Sequence, residues 1–187
     1  MAEIRTIAVI GAGAAGRGIA FAAALGGYRT ILEDILPSSL RTAAAELREH
    51  LAKAGDLGTV SKPEAQAAFN RLEYAATVEH AAREADLVIE AVPDELESKI
   101  EIFTLLDKIC RPQTIVVSNT TALSVTEIAS VTYRAARIAG MRFANPLTHK
   151  NLQIVRARLT DDETIAACTE VGKRMGKQVM VVAESGT

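Results

Sequence analysis

Apolar residues along the chain follow two rhythms. Short β-branched runs read as strands: IRTIAVI (4–10), TILE (30–33), LVIEA (87–91), TIVVS (114–118), RIAGMRF (137–143), LQIVRA (152–157) and QVMVVA (178–183). Between them apolar residues recur at helical spacing, as in Leu40, Ala44, Leu47 and Leu51, in Leu96, Ile100, Phe103 and Leu106, and in Ile165, Cys168, Val171 and Met175. Ser61–Glu64, Ser124–Glu127 and Thr160–Glu163 have capping-box spacing, which marks helix starts. Residues 55–72, with Gly55, Gly58 and Pro63, read as an excursion between two helices. No repeat or linker interrupts the pattern. The alternation predicts an α/β fold, a doubly wound and mostly parallel sheet with helices on both faces, as one domain over 1–187.

Composition narrows the function. The 21 basic and 23 acidic residues are interspersed, which argues against nucleic-acid and membrane-surface binding. The longest apolar stretch, GIAFAAALGG, is about half of what a membrane span needs. MAEIRT lacks a signal-peptide layout. Cys110 and Cys168 sit in helical patterns and read as buried free thiols, which fits a reducing compartment and a cytoplasmic location. No metal site is expected.

The first strand runs into GAGAAG, followed by a helix of small residues that includes Gly18 and Ala20. Gly11 makes the tight turn, Gly13 lets backbone approach a diphosphate, and Gly16 lets the helix pack on the strand. The helix N-terminus then directs N–H groups and positive dipole at the phosphates. The second strand ends in Glu33-Asp34. Either carboxylate could hold an adenosine ribose, depending on where the strand stops; Asp34, just outside the apolar run, is favoured. A carboxylate there repels a 2′-phosphate, so NAD is expected rather than NADP.

Four segments in order, GAGAAGRGIAFAAALGGYRTILEDI, ADLVIEAVPDELESKIEIF, SNTTALSVTEIA and MRFANP, resemble the NAD-binding domain of the 3-hydroxyacyl-CoA dehydrogenases. The resemblance runs from about residue 4 to 185. It implies a Rossmann fold and oxidation of the C3 hydroxyl of an L-3-hydroxyacyl-CoA by NAD, in fatty-acid β-oxidation. It places cofactor contacts at Gly11, Gly13, Ala14, Ala15, Gly16, Asp34, Glu90, Ala91, Val92, Lys99, Ser118 and Asn119. Ser118 matches a serine near the substrate hydroxyl, and Asn119 and Asn145 match polar groups around nicotinamide and substrate. Ser118 and Asn145 could instead cap turns at strand ends. Glu90, which ends a buried strand, could equally make a structural hydrogen bond.

The chain departs from the family at the reacting centre. The family's base histidine aligns with Arg142 in MRFANP, and its glutamate partner aligns with Ile154 in LQIV. Arginine stays protonated and cannot accept the hydroxyl proton. Arg142 could clamp an anionic substrate or phosphate, or sit in a salt bridge. His149 is the nearest alternative base, although a solvated loop histidine reads more simply; His50 and His80 read as surface residues. Relatives also continue into a helical domain where this chain reads AESGT. Apolar surface near 140–150 and 178–183 is therefore expected to be exposed, to be covered by a separate helical partner or a second copy. Three readings follow: an impaired dehydrogenase domain acting on an acyl-CoA, a non-catalytic NAD-binding module, and an oxidoreductase retuned to an anionic 3-hydroxy acid.

Overall fold

The computed structural model describes residues 3–184, so the end of the AESGT stretch lies outside the described residues. Eight strands form one sheet: β1 (Thr6–Ile10), β2 (Arg29–Glu33), β3 (Leu72–Ala75), β4 (Leu87–Glu90), β5 (Ile115–Ser118), β6 (Ile138–Phe143), β7 (Asn151–Arg156) and β8 (Gln178–Ala183). The helices are α1 (Ala14–Leu25), α2 (Pro37–Asp56), α3 (Lys62–Asn70), α4 (Val78–Ala82), α5 (Leu96–Ile109), α6 (Val125–Ala129) and α7 (Asp162–Arg174). Strand order is β3-β2-β1-β4-β5-β6-β7-β8. The first six strands are parallel, β7 is antiparallel to β6, and β8 is parallel to β7. The chain winds outward through β2 and β3, then returns to place β4 on the other side of β1. That reversal opens a crevice at the carboxyl ends of β1 and β4, where doubly wound folds bind ligands.

The central strands are apolar on both faces because helices cover both. Ile7 and Val9 face α1, α2 and α7, together with Ile19, Leu47 and Val171. Ala8 and Ile10 face the opposite layer, with Phe103, Leu106 and Val125. The alternation follows the two-residue period of a strand.

Two elements differ from the sequence reading. The edge strand β3 lay hidden at the end of the excursion, because Glu73 faces solvent and pairs with Arg29 at 2.7 Å on β2. The rest of the excursion is the turn and helix α3, which folds back on α2; a Cβ at Gly55 would lie 3.4 Å from that of Ala65. Of the three capping signals, Ser61–Glu64 forms the full reciprocal box and Ser124 accepts from the Glu127 N–H at 3.1 Å. The α7 cap, however, is Asp161, which accepts from the Thr164 N–H at 2.7 Å. Thr160 turns inward and donates to the Ile138 carbonyl at 2.6 Å.

Exposed apolar surface falls where expected on β8, with Met180 at 60% and Val181 at 46% exposure. In 140–150, Leu147 is the exposed large apolar residue, while Met141 and Phe143 are core. Cys110 and Cys168 are free and buried. Burial pushes their thiols up to about 11 and about 12, so neither is a ready nucleophile. Among the described residues, no helix is long and apolar enough to cross a membrane, and no cluster of His, Cys, Asp and Glu could hold a metal.

α7 lies tightly on the antiparallel corner. A Cβ at Gly172 would come within 2.6 Å of Leu152 Cδ2 and 2.8 Å of Val179 Cγ2. Gly172→Ala is expected to cost about 1–3 kcal/mol through overpacking, read as a lower urea midpoint with an unchanged slope.

Candidate functional site

The crevice begins where β1 ends. Gly11 has φ +100 and donates its N–H to the Glu33 carbonyl at 2.9 Å. A Cβ there would sit 3.0 Å from the Ala91 carbonyl oxygen, and one at Gly16 would sit 1.7 Å from the Gly11 oxygen. Both glycines are therefore steric necessities of bringing α1 down onto β1 beside β4. Gly13 is different: a Cβ there would meet nothing within 4 Å. It is the N-cap of α1, with no side-chain cap and no acidic residue in the first turn. The N–H groups of Ala14 and Ala15 thus lie at the accessible start of the helix with its dipole behind them, which fits a diphosphate.

Asp34 closes the outer side. Its carboxylate accepts from the Ala12 N–H and the Leu36 N–H, both at 2.9 Å, so it is fixed against the glycine turn. Glu33 still belongs to β2 and is 4% exposed. Burial first, and the neighbouring Asp34 second, push its carboxyl up to about 7. Arg17 donates to the Ala12 carbonyl at 2.9 Å and pairs with Glu46 at 2.7 Å, bracing the turn from below.

At the inner side Glu90 ends β4, fully buried. It accepts from Lys99 Nζ (2.7 Å), the Val92 N–H (2.7 Å) and Ser118 Oγ (2.6 Å). Lys99 is equally buried, also donates to the Val92 carbonyl at 3.0 Å, and reaches Asp94 at 3.3 Å. Of the two roles open to Glu90, the structure displays the hydrogen-bonded one. Ser118 is fully buried, donating to Glu90 and accepting from the Thr120 N–H at 3.2 Å. Ala91 and Val92 line the half-buried start of the following loop. Sequence reasoning missed Asp94. It accepts from the Thr121 N–H at 3.1 Å, tying the loops after β4 and β5 together.

The MRFANP segment enters beside these loops. Asn119 Oδ1 accepts from the Phe143 N–H at 3.0 Å. Asn145 is exposed and accepts from the Leu147 and Thr148 N–H groups (3.1 and 3.3 Å), so its carbonyl caps the turn while its amide stays available. Pro146 sits on α1, where a Cβ at Gly18 would lie 2.8 Å from it. Arg142 donates Nε–H to the Thr120 carbonyl at 2.9 Å. Among the described residues it forms no salt bridge.

The structure does not bring Arg142 and Ile154 together. In the β6–β7 ladder Arg142 lies opposite Gln153, whereas Ile154 lies opposite Met141. Ile154 is completely buried in the layer with Met141 and Leu152. Strand alternation therefore makes Gln153 the cross-strand neighbour of Arg142, a two-residue periodicity that the aligned spacing alone does not reveal. Arg142 and Gln153 line a cavity of about 900 Å³ with Arg156, Arg158, Thr126 and Glu184. His149 is exposed on the loop and bonded to Thr148 Oγ1 at 3.1 Å. His50 stacks edge-on against Phe21, and His80 is exposed on α4.

A family model described as the NAD binding domain of 3-hydroxyacyl-CoA dehydrogenase matches residues 6–185. The chain belongs to this family. A probable 3-hydroxybutyryl-CoA dehydrogenase of Bacillus subtilis is 38% identical over 181 residues, covering 96% of this chain and 63% of that protein. The 3-hydroxyadipyl-CoA dehydrogenase of Escherichia coli is 35% identical over 95% of this chain and 38% of its own length. The crystal structure of an E. coli 3-hydroxybutyryl-CoA dehydrogenase superposes with a TM-score of 0.93 at 32% identity, covering 97% of this chain and 39% of that one. The chain thus spans less than two thirds of these relatives and corresponds to their NAD-binding domain, with a mostly parallel Rossmann sheet and NAD as its cofactor.

Two variants separate cradle from scaffold. Gly13→Ala is expected to keep wild-type stability, since its Cβ enters open space, yet to weaken NADH binding by roughly tenfold, about 1.4 kcal/mol, in a nicotinamide fluorescence titration. Lys99→Met leaves Glu90 buried without its cation, and should cost about 3–5 kcal/mol in chemical denaturation.

Proposed function

We propose that this chain is the cofactor-binding part of an oxidoreductase that exchanges hydride between NAD and C3 of an L-3-hydroxyacyl-CoA, as in fatty-acid oxidation, with its acid–base step disabled. NAD supplies the hydride acceptor. The chain's own contribution is the cradle from Gly11 to Gly16, the ribose carboxylate Asp34, and the loops carrying Asn119 and Asn145, held by the Glu90–Lys99–Ser118 cluster.

The observation that carries the reading is Arg142. It stands at the family's base position, tethered through Nε to Thr120. A guanidinium offers donors only, so a substrate hydroxyl meeting it finds no proton acceptor. Loss of a general base typically costs about 10²–10⁴ in rate. The exposed β8 edge supports a further partner surface, either a helical domain or a second copy. Two buried thiols suit a reducing, cytoplasm-like compartment.

A second reading, redirection rather than loss, is favoured by one feature. Among the described residues Arg142 has no carboxylate partner, and it shares its cavity with Arg156 and Arg158. Arg156 is engaged with Asp162 at 2.8 Å, and Glu184 is spent on the Val125 and Thr126 N–H groups of α6. The remaining cationic character suits a carboxylate-bearing 3-hydroxy acid. An NAD-binding module without turnover is the limiting case of the first reading.

The test uses the chain extended by the C-terminal part of the B. subtilis relative. Arg142→His with Gln153→Glu should oxidise NADH on acetoacetyl-CoA about 10²-fold or more faster than the same fusion with Arg142. Equal rates would show that Arg142 is no block. Arg142→His with Ile154→Glu should instead lose stability by several kcal/mol, because the new carboxyl lands in the apolar layer; a stable and equally active protein would overturn the facing argued from the ladder.

A further inference from the structure

The turn over residues 144–149 presents Asn145 with little to hold it. Pro146 is its one buried residue, and the other five are exposed. Its flanks are fixed. The Phe143 N–H donates to Asn119 Oδ1 at 3.0 Å, and the Gln178 N–H donates to the Lys150 carbonyl at 2.8 Å. Inside the turn, Asn145 accepts from the N–H groups of its own neighbours Leu147, Thr148 and His149. Among the described residues, one side chain alone hydrogen-bonds to the turn from outside it. Lys177 Nζ donates to the Pro146 carbonyl at 2.5 Å and to the His149 carbonyl at 3.0 Å.

We propose that Lys177 is a positioning residue for the nicotinamide half of the cofactor: by bonding the Pro146 and His149 carbonyls it sets the Asn145 turn in place before NAD arrives. The inference rests on the proposed place of Asn145 beside the nicotinamide. Lys177 is delivered from the far end of the chain. α7 closes in a tight turn where Gly176 has φ +75 and the Lys177 N–H donates to the Gly172 carbonyl at 3.0 Å. Its ammonium has no carboxylate partner among the described residues. Burial pulls it below the ordinary lysine range. A cation drawn partly out of water without a counter-charge is tolerated only because hydrogen bonds replace that water, and both of its bonds go to this turn.

The effect is on position rather than on the core. A segment with so few buried contacts opens at little cost to the rest of the fold. Pro146 meets α1 at Gly18, and without Lys177 that contact would be the turn's main hold on the domain. A free turn has to be ordered when the cofactor binds, and the ordering is subtracted from affinity; a turn already fixed avoids that loss. The adenosine and diphosphate lie against Asp34 and the Gly11–Gly16 cradle, which Lys177 does not touch. Loss of the clamp therefore weakens the nicotinamide half selectively.

The experiment is calorimetry with NADH and with ADP-ribose, which lacks the nicotinamide, on wild type, Lys177→Met, Lys177→Arg and Asn145→Ala. Lys177→Met should bind NADH about tenfold more weakly, bind ADP-ribose within about twofold of wild type, and keep a urea midpoint near the wild-type one. Lys177→Arg, whose guanidinium has donors for two carbonyls, should recover most of the NADH affinity. Asn145→Ala should show the same NADH-selective loss. If Asn145→Ala is selective but Lys177→Met weakens both ligands alike, or neither, the proposal is overturned and the place of Asn145 stands. If Asn145→Ala is not selective, the turn does not serve the nicotinamide and the proposal falls with that reading. No NADH binding by wild type overturns the cofactor assignment and the proposal together. Should Lys177→Met fold poorly, Lys177→Gln, which keeps one neutral donor group, replaces it: a smaller loss confined to NADH supports the proposal, and an unselective loss or none refutes it.

Discussion

The buried Glu90 carboxylate is the constraint on which the site depends. It sits at the topological switch point, and its three donors come from α5, from the loop after β4 and from the end of β5. Two charges removed from water are tolerated only when their remaining hydrogen-bonding capacity is filled, and here it is. The consequence is geometric. The floor of the crevice cannot relax without exposing or orphaning an ion. The loops bearing Asp94, Asn119 and Thr121 are hung from that floor, and Arg142 is hung from them through the Thr120 carbonyl.

Much of this was legible in the sequence, and what was not has physical reasons. Five of the strands, β1, β2, β4, β5 and β6, announced themselves because strands buried on both faces need continuous apolar residues, while β7 and β8 were legible from their β-branched runs although both carry exposed residues. The edge strand β3 did not, since it is only four residues long and an edge tolerates Glu73. The glycine motif carried real information because Gly11 and Gly16 are sterically required, as the close approaches to Ala91 and Gly11 show. Thr160 was misread as a cap because threonine and aspartate stand next to each other, and spacing cannot decide which one turns inward. Asp94 was invisible because its importance lies in joining two loops distant in sequence.

The reacting centre shows a sharper limit. Aligned spacing pairs position 142 with position 154, but the ladder faces 142 toward 153 and sends 154 into the core. One residue of register separates the two statements, and in a strand that is the difference between opposite faces. In the sequence, Arg142 stands where the family resemblance leads one to expect a histidine. The structure adds that the guanidinium there lacks a carboxylate partner among the described residues.

One contact reaches beyond its immediate neighbourhood. Pro146 rests against the bare backbone of Gly18, with no side chain between the cradle helix and the turn that presents Asn145. Side chains act as springs, because rotamer changes absorb small displacements. A proline ring on a glycine has almost no such compliance. The helix that follows the glycine turn and the Asn145 turn are therefore joined as if by a rigid strut, so a sub-ångström shift of α1 is passed directly to the Asn145 turn.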